Sequence, residues 1–237
     1  MANPFGATQE RPGFVSDVER ARVGAFMRGV YWWMCGGLGI TAAVAVAVAS
    51  SPAAVNTLIG TPILFYGLII LELVLVFVLS ARVAKLTPST AGALFLGYSA
   101  VNGVTFSLIL LAYTGASVAN AFLVTAGMFG SLAVYGHVTK RDLSGMGRFM
   151  FMGLVGLVLA GVVGIFWQND TLQFVLGVVG VLVFAGLTAY DTQRLQAIAL
   201  QLQGGQTGSY AIVGALSLYL DFVNIFLSLL RLFGRRN

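Results

Sequence analysis

Long apolar segments alternate with short polar ones along most of the chain. Seven of them have about 20 residues each, the length at which an α-helix crosses the ~30 Å hydrocarbon core of a bilayer. They lie at residues 30–50, 63–80, 90–113, 118–137, 148–167, 171–190 and 215–234. The pattern predicts an all-α membrane protein with seven transmembrane helices, which we call spans one to seven.

The first 28 residues are polar and charged, and they precede the first apolar segment. Proline and glycine within 1–15 predict a loose tail. Ser16 and Glu19 match a capping box, so a helix is expected to begin there. No signal-peptide pattern is present, and span one is expected to remain as an anchor. We therefore divide the chain into a polar amino-terminal segment at 1–28 and a seven-helix transmembrane domain at 29–237.

Positive charge is distributed unevenly between the two sides that seven crossings create. Ten of the 13 Lys and Arg residues lie on the side of the amino terminus, whereas the opposite segments at 51–62, 113–117 and 168–171 hold none. Because cytoplasmic segments carry the excess of Lys and Arg, the amino terminus is predicted to be cytoplasmic. The three exceptions lie at the end of span seven or just after it. Span seven either crosses the membrane fully or re-enters on the same side, and its length favours a full crossing. The exceptions are Arg231, Arg235 and Arg236.

Composition supports a membrane protein and excludes other classes. Hydrophobic residues make up 58% of the 237 residues and charged residues only 9%, which is far from the composition of soluble domains. The net charge of +5 is spread singly or in pairs between apolar segments, which argues against nucleic-acid binding. Cys35 is the only cysteine, so an intramolecular disulfide is impossible.

Span seven carries a carboxylate, Asp221, near its middle. A charge at the bilayer centre costs about 2.5 kcal/mol or more, so it usually marks a function or a buried partner. Positions i, i+4, i+7 and i+11 of a helix lie on one face, and here they hold Ser217, Asp221, Asn224 and Ser228. Lipid cannot satisfy such a polar stripe, so we expect it to face other helices or a wet cavity.

Asp191, at the inner end of span six, is the expected partner of Asp221 if the two spans pack together. Two adjacent carboxylates cannot both be charged at low cost, so the pair would share a proton and titrate as a unit, as a pH sensor must. Their hard oxygens would also suit Ca²⁺, with Asn224, Ser217 and carbonyls or waters completing a loose shell. The alternative is structural: Asp191 caps or anchors the end of span six at the headgroups, and Asp221 hydrogen-bonds to a neighbouring helix.

Arg82 lies near the inner end of span two. It is either a counter-charge for the aspartate pair or a basic flank that reaches the membrane interface. The residues alone leave both interpretations open.

Glu72 is a further carboxylate at bilayer depth, at the centre of span two. We expect it to line the same pathway as a proton or cation site, or to pair with a tyrosine or an asparagine such as Asn102.

His137 has no Cys or His companions, which argues against a metal site there. The only lysines, Lys85 and Lys140, lie in loops, which excludes a retinal-type pigment. No HExxH or GxSxG motif is present, so we expect no enzyme, no catalytic residue and no cofactor.

Three stretches carry a recognisable family pattern. They read SARVAKLTPSTAGALFLGYSAVNGVTFS at 80–107, AYDTQRLQ at 189–196 and ALSLYLDFVNIFLSLLRLFG at 215–234. They resemble the transmembrane Bax inhibitor motif family in its bacterial branch, and the resemblance covers essentially all seven spans. It implies a fold whose seventh helix is central between two three-helix layers. It also implies a pH-sensitive calcium leak channel with a di-aspartyl sensor, matched here by Asp191 and Asp221, and an interacting basic residue on helix two, matched by Arg82.

Three functional hypotheses follow. The first is a calcium leak channel of the bacterial inner membrane, gated by protonation of the Asp191–Asp221 pair, with Ca²⁺ and H⁺ as its ions. The second is an interaction protein that regulates a membrane partner, such as a quality-control protease, with no transport of its own. The third is a proton-coupled carrier that uses Glu72. We favour the first because it accounts for both intramembrane aspartates.

Overall fold

A computed structural model describes residues 17–167, 169–202 and 206–237. The chain is helical in these ranges, apart from short turns and a single bridge between Tyr113 and Arg236. The α-helices are α1 Asp17–Ala49, α2 Pro52–Gly60, α3 Pro62–Arg82, α4 Pro88–Ala112, α5 Gly115–Val138, α6 Ser144–Phe166, α7 Asp170–Gln201 and α8 Thr207–Phe233. All of them except the nine-residue α2 are long and apolar enough to cross a membrane, which confirms the seven predicted spans.

The helices begin where the sequence offers capping side chains. Oγ1 of Thr87 accepts a hydrogen bond from the amide of Thr90, and Oγ1 of Thr114 accepts one from Ser117. Oδ1 of Asn169 accepts one from Thr171 at the start of α7. These bonds satisfy amide groups that the first turn of a helix leaves without partners. The predicted capping box includes Ser16, which lies outside the described residues.

Two helix ends differ from the hydropathy pattern. Helix α7 continues to Gln201, eleven residues beyond the end of the predicted span six. Its residues Leu195 and Ala199 are buried on one face. Helix α8 begins at Thr207, eight residues before the predicted span. Asp191 therefore lies inside a helix and does not cap its end. Anchoring of Asp191 at the level of the headgroups stays a prediction.

Helix α8 is the most buried of the seven spans. In its most apolar 18-residue window 72% of the residues are buried, compared with 6% for α3 and for α6. It packs against α1, α4, α5 and α7, with a smaller contact to α3. A helix that is buried on nearly all sides belongs to the interior of a bundle. The arrangement in which α8 is central between two three-helix layers stays a prediction.

Hydrogen bonds between loops define the two ends of the bundle. At one end, which we call the basic end, Oγ of Ser209 donates to the carbonyl of Leu86, and Nε2 of Gln193 donates to the carbonyl of Arg141. At the other end, which we call the tail end, the residues after Phe233 pair with the turn between α4 and α5. Helix α8 starts at the basic end and finishes at the tail end, so it runs the full length of the bundle, as its length predicts.

Candidate functional site

Asp221 lies on the buried helix α8, and only 4% of its surface is exposed. Its Oδ2 atom is buried and has no hydrogen-bond partner among the described residues. The carboxylate lies close enough to Asp191 of α7 for the two to interact electrostatically. The packing of α7 on α8 thus brings together the two aspartates that the sequence paired.

Asp191 is half-buried and has partners on both helices. Its carboxylate lies near the side chain of Ser217 on α8 and near the charge of Arg194, one turn further along α7. Ser217 is itself one turn from Asp221, which is about 6 Å along the helix axis. The pair therefore has a polar, charged side toward the basic end and a buried side at Asp221.

A cavity of about 230 Å³ leads to this pair between α3, α7 and α8. Asp191, Arg194, Tyr210 and Ser217 supply its polar lining, together with Ser80 of α3. The remaining lining residues are Val83, Leu195, Ile198, Val213 and Gly214. Asp221 lies beyond the end of the cavity, one turn deeper than Ser217. A path from the basic end thus reaches Asp191 and stops there.

The predicted polar stripe of α8 is partly buried, and its members differ in what they contact. Ser228 is buried against α7, where a side chain larger than hydrogen at Gly180 would collide with it. Nδ2 of Asn224 donates a 2.8 Å hydrogen bond to the carbonyl of Leu220 in its own helix. Ser217 is the stripe residue that contacts the aspartate pair directly.

Arg82 is exposed at the end of α3, and its neighbours Ser80 and Val83 line the cavity. The cation that acts on Asp191 in this structure is Arg194. Arg194 is not among the residues predicted from the sequence to act on the pair, although its spacing of three residues from Asp191 on one helix was the available signal. The role of Arg82 as a counter-charge stays a prediction.

A second polar cluster lies on the opposite face of α8. Oε2 of Glu72 accepts a 3.3 Å hydrogen bond from Nδ2 of Asn102, as the sequence analysis allowed, and Oε1 accepts a 2.9 Å bond from Thr105. Oδ1 of Asn102 accepts a 2.9 Å bond from the phenol of Tyr219, which also lies 2.7 Å from Oγ1 of Thr41. Tyr219 and Asp221 are two residues apart, about 200° around the helix, so one helix separates the two clusters.

The residues around Asp191 hold α7 in place against its neighbours. The carbonyl of Ala189 packs on Gly136 of α5, and the ring of Tyr190 packs on Gly147 of α6, both too closely for a larger residue at either glycine. Gln193 binds the loop between α5 and α6 through both atoms of its amide: Oε1 accepts from Leu143 at 2.9 Å and Nε2 donates to the carbonyl of Arg141 at 2.8 Å. The motif at 189–196 therefore contains Asp191 and also holds it in position.

The described residues contain no group of three or more His, Cys, Asp or Glu side chains that could hold a metal ion. The aspartate pair offers carboxylate oxygens and the hydroxyl of Ser217, so a bound Ca²⁺ would need carbonyls or waters for its remaining ligands. His137 is exposed at the end of α5, away from other ligand side chains.

Comparison with known proteins agrees with these features. A family model described as "Inhibitor of apoptosis-promoting Bax1" matches residues 23–237. The chain is 48% identical over 220 residues to the inner membrane protein YbhL of Escherichia coli (strain K12), covering 92% of this chain and 94% of that protein. It is 45% identical over 217 residues to a protein of Deinococcus radiodurans, covering 91% and 93% of the two chains. A protein of Borreliella burgdorferi is 38% identical over 213 residues, covering 89% and 92%. The resemblance seen in the sequence is confirmed, and the chain belongs to the Bax inhibitor-1-like family of membrane proteins.

Proposed function

We propose that this protein is a pH-sensitive calcium leak channel of the bacterial inner membrane, in which the Asp191–Asp221 pair is the gate. The observation that carries the proposal is the buried, unpartnered Oδ2 of Asp221 beside a second carboxylate. A buried polar atom without a partner costs free energy, and a fold retains such a cost where the group has a task. The family and its inner-membrane relative support the location.

The chemistry of the pair suits both ions. Two neighbouring carboxylates share a proton more readily than both ionise, so the pair loses its two protons in two separate steps as the pH rises. When both protons leave, the same oxygens attract a hard divalent cation such as Ca²⁺. Protonation and calcium binding therefore compete for one site, which links flux to pH.

The path that we propose runs along α8. It enters at the basic end, which we place in the cytoplasm with the amino terminus, and follows the cavity to Asp191. Beyond Asp221 the interior is packed with apolar side chains such as Ile225 and Leu229, which would block an ion on this path unless the helices moved. Opening requires α7 and α8 to separate near the pair. Arg194 and Tyr210 face the pair from the cavity, and Arg82 would join them if α3 moved inward.

The test is calcium entry into proteoliposomes loaded with a calcium-sensitive dye, between about pH 5 and 8. The wild type is expected to admit Ca²⁺ with a flux that depends on pH. Asp191→Asn and Asp221→Asn keep the shape of each side chain but remove its titration, so their flux is expected to lose the pH dependence. Asp170→Asn removes one exposed carboxylate at the start of α7 and is the matched control.

Two outcomes would overturn the proposal. If both aspartate variants keep the flux and the pH response of the wild type, the pair is not the gate. If no preparation exceeds empty liposomes at any pH, the chain does not conduct Ca²⁺. The hypothesis of an interaction protein would then be tested by crosslinking in membranes and co-purification of a membrane protease.

A further inference from the structure

The residues after α8 fold back onto the turn between α4 and α5. The amide of Arg235 donates a 2.9 Å hydrogen bond to Oγ of Ser117, and its carbonyl accepts a 3.0 Å bond from the amide of Thr114. The amide of Asn237 donates to the carbonyl of Ala112 at 3.1 Å. These main-chain bonds hold the end of the chain at a fixed place on the tail end of the bundle.

The fold thereby concentrates positive charge where the rest of the sequence avoids it. The connections at 50–51, 113–114 and 167–169 contain no Lys or Arg, yet Arg231, Arg235 and Arg236 are all exposed at this end. The guanidinium of Arg236 lies 5.9 Å from the centre of the Tyr113 ring. Within the described residues, no carboxylate forms an ion pair with any of the three arginines. The tail end therefore carries three arginines that no carboxylate of the described residues pairs with.

A cavity of about 620 Å³ opens beside these arginines, between the start of α5 and the end of α8. Its lining changes in character with depth. Thr114, Ser117, Asn120 and Arg235 line it near the helix ends, and Val124 and Leu229 line it further into the bilayer. Ser117 and Val124 are separated by about 10 Å along α5. The cavity is thus polar and basic at the membrane surface and apolar below it.

We propose that this cavity binds an anionic phospholipid, with its phosphate at Arg235 and the upper part of an acyl chain against Val124 and Leu229. The polar residues between these two levels, Ser117 and Asn120, lie at the depth of the glycerol and ester groups. A soluble anion would leave the apolar half of the cavity without a partner, and a zwitterionic lipid would bring a second positive charge close to Arg235. The site is independent of the aspartate pair and of the proposed channel function.

The experiment is native mass spectrometry of the purified protein in detergent, with added phosphatidylglycerol or with phosphatidylcholine of the same acyl chains. The wild type is expected to retain one phosphatidylglycerol at least fivefold more than phosphatidylcholine. Arg235→Gln is expected to lose this preference, and Arg235→Lys to keep most of it because the charge remains. Arg141→Gln removes one exposed arginine at the basic end and is expected to bind like the wild type.

Val124→Trp tests the apolar half of the site without a change of charge. Val124 is exposed in the cavity, so the larger ring fills the space without disturbing the core, and retention of phosphatidylglycerol is expected to fall at least fivefold. Equal retention of the two lipids, or equal loss in Arg235→Gln and Arg141→Gln, would overturn the proposal. Displacement of the lipid by millimolar inorganic phosphate would also overturn it, since the site would then be one for the free anion.

Discussion

The phenol of Tyr219 donates a 2.9 Å hydrogen bond to Oδ1 of Asn102, whose Nδ2 donates in turn to the carboxylate of Glu72. Because Oγ1 of Thr41 also lies 2.7 Å from the phenol oxygen, one series of polar contacts joins α1, α3, α4 and α8. Tyr219 is fully buried. The lone carboxylate of α3 is thus tied to the buried helix on the side away from Asp221.

Removal of the Tyr219 hydroxyl is expected to weaken the bundle. Hydrogen bonds between membrane helices contribute about 0.6 kcal/mol on average and up to about 1.7 kcal/mol, so Tyr219→Phe should lower the free energy of unfolding by about 1 kcal/mol. Unfolding in mixed micelles with increasing sodium dodecyl sulfate measures this difference. Tyr66→Phe removes a hydroxyl from a side chain that is 62% exposed on α3, and it should leave the free energy unchanged. Equal values for Tyr219→Phe and the wild type would contradict the assignment.

Glu72 separates the channel hypothesis from the carrier hypothesis. Glu72→Gln keeps an amide oxygen as the acceptor for Thr105 but carries no titratable proton. If the aspartate pair is the gate, calcium flux into proteoliposomes should retain its pH dependence in this variant. A proton-coupled carrier predicts instead that flux driven by an imposed proton gradient vanishes. The Asp221→Asn variant, measured in parallel, should lose the pH dependence of calcium flux that Glu72→Gln retains.

The contact between Gly136 and Ala189 sets the distance between α5 and α7 two residues from Asp191. A methyl group at position 136 would meet the backbone of Ala189, whereas one at Gly130 of the same helix would meet nothing within 4 Å. Overpacking of this kind typically costs 1–3 kcal/mol. Gly136→Ala should therefore lower the midpoint of thermal unfolding in detergent, and Gly130→Ala should not. A matching loss in both variants would show that the glycine content of α5, rather than this contact, matters.

Gln193 should control the mobility of the loop between α5 and α6. Gln193→Ala removes the acceptor of the Leu143 amide, and a hydrogen bond of about 1 kcal/mol corresponds to roughly fivefold faster local opening. Hydrogen–deuterium exchange of peptides that cover 141–144 measures this change. Gln201→Ala, at an exposed position at the end of α7, is the control and should exchange like the wild type. Unchanged exchange in Gln193→Ala would mean that the loop is held by other contacts.

Asp142 should play no part in any pH response between pH 5 and 8. Hydrogen bonds from the side chain and the amide of Ser144, with a smaller contribution from Arg148, lower the pKa of this exposed carboxyl below its usual 3.8. A lowered pKa in the folded state stabilises the fold above the usual value, and that contribution is lost only as the pH falls through the lowered pKa. The flux of Asp142→Asn should therefore follow the pH profile of the wild type, and a shifted profile would place a sensor in this loop.

Hydropathy predicted the membrane spans well because burial in lipid requires long, nearly uncharged helices, and few other structures have that pattern. It placed the ends of spans six and seven less well. The sequence from Asp191 to Gln201 is polar enough to fall outside an apolar window, but it remains helical because Leu195 and Ala199 pack inside the bundle. Tertiary contacts, rather than local composition, decide where α7 ends.

Asp221 stands out in the sequence because a charge near the middle of a span requires a partner. Asp191 is its expected partner because of its position at the inner end of span six and because of the family resemblance. The partners of the two clusters could not be predicted in the same way. Arg194, Thr41 and Tyr219 are ordinary residues of their segments, and their roles depend on the rotation of each helix about its axis. A single sequence gives the spacing of residues along one helix, but it does not give the rotation of that helix about its axis relative to its neighbours.

The burial of α8 has a consequence for how the protein is made. Translation proceeds from the amino terminus, so the helix that carries both Asp221 and Tyr219 enters the bilayer after the other six spans. Until it arrives, the side chains of α1, α4 and α7 that it later covers, such as Thr41 and Asn102, have only lipid or one another as neighbours. The six earlier spans therefore form an incomplete assembly in the membrane, and the arrival of α8 is the step that turns it into a folded protein.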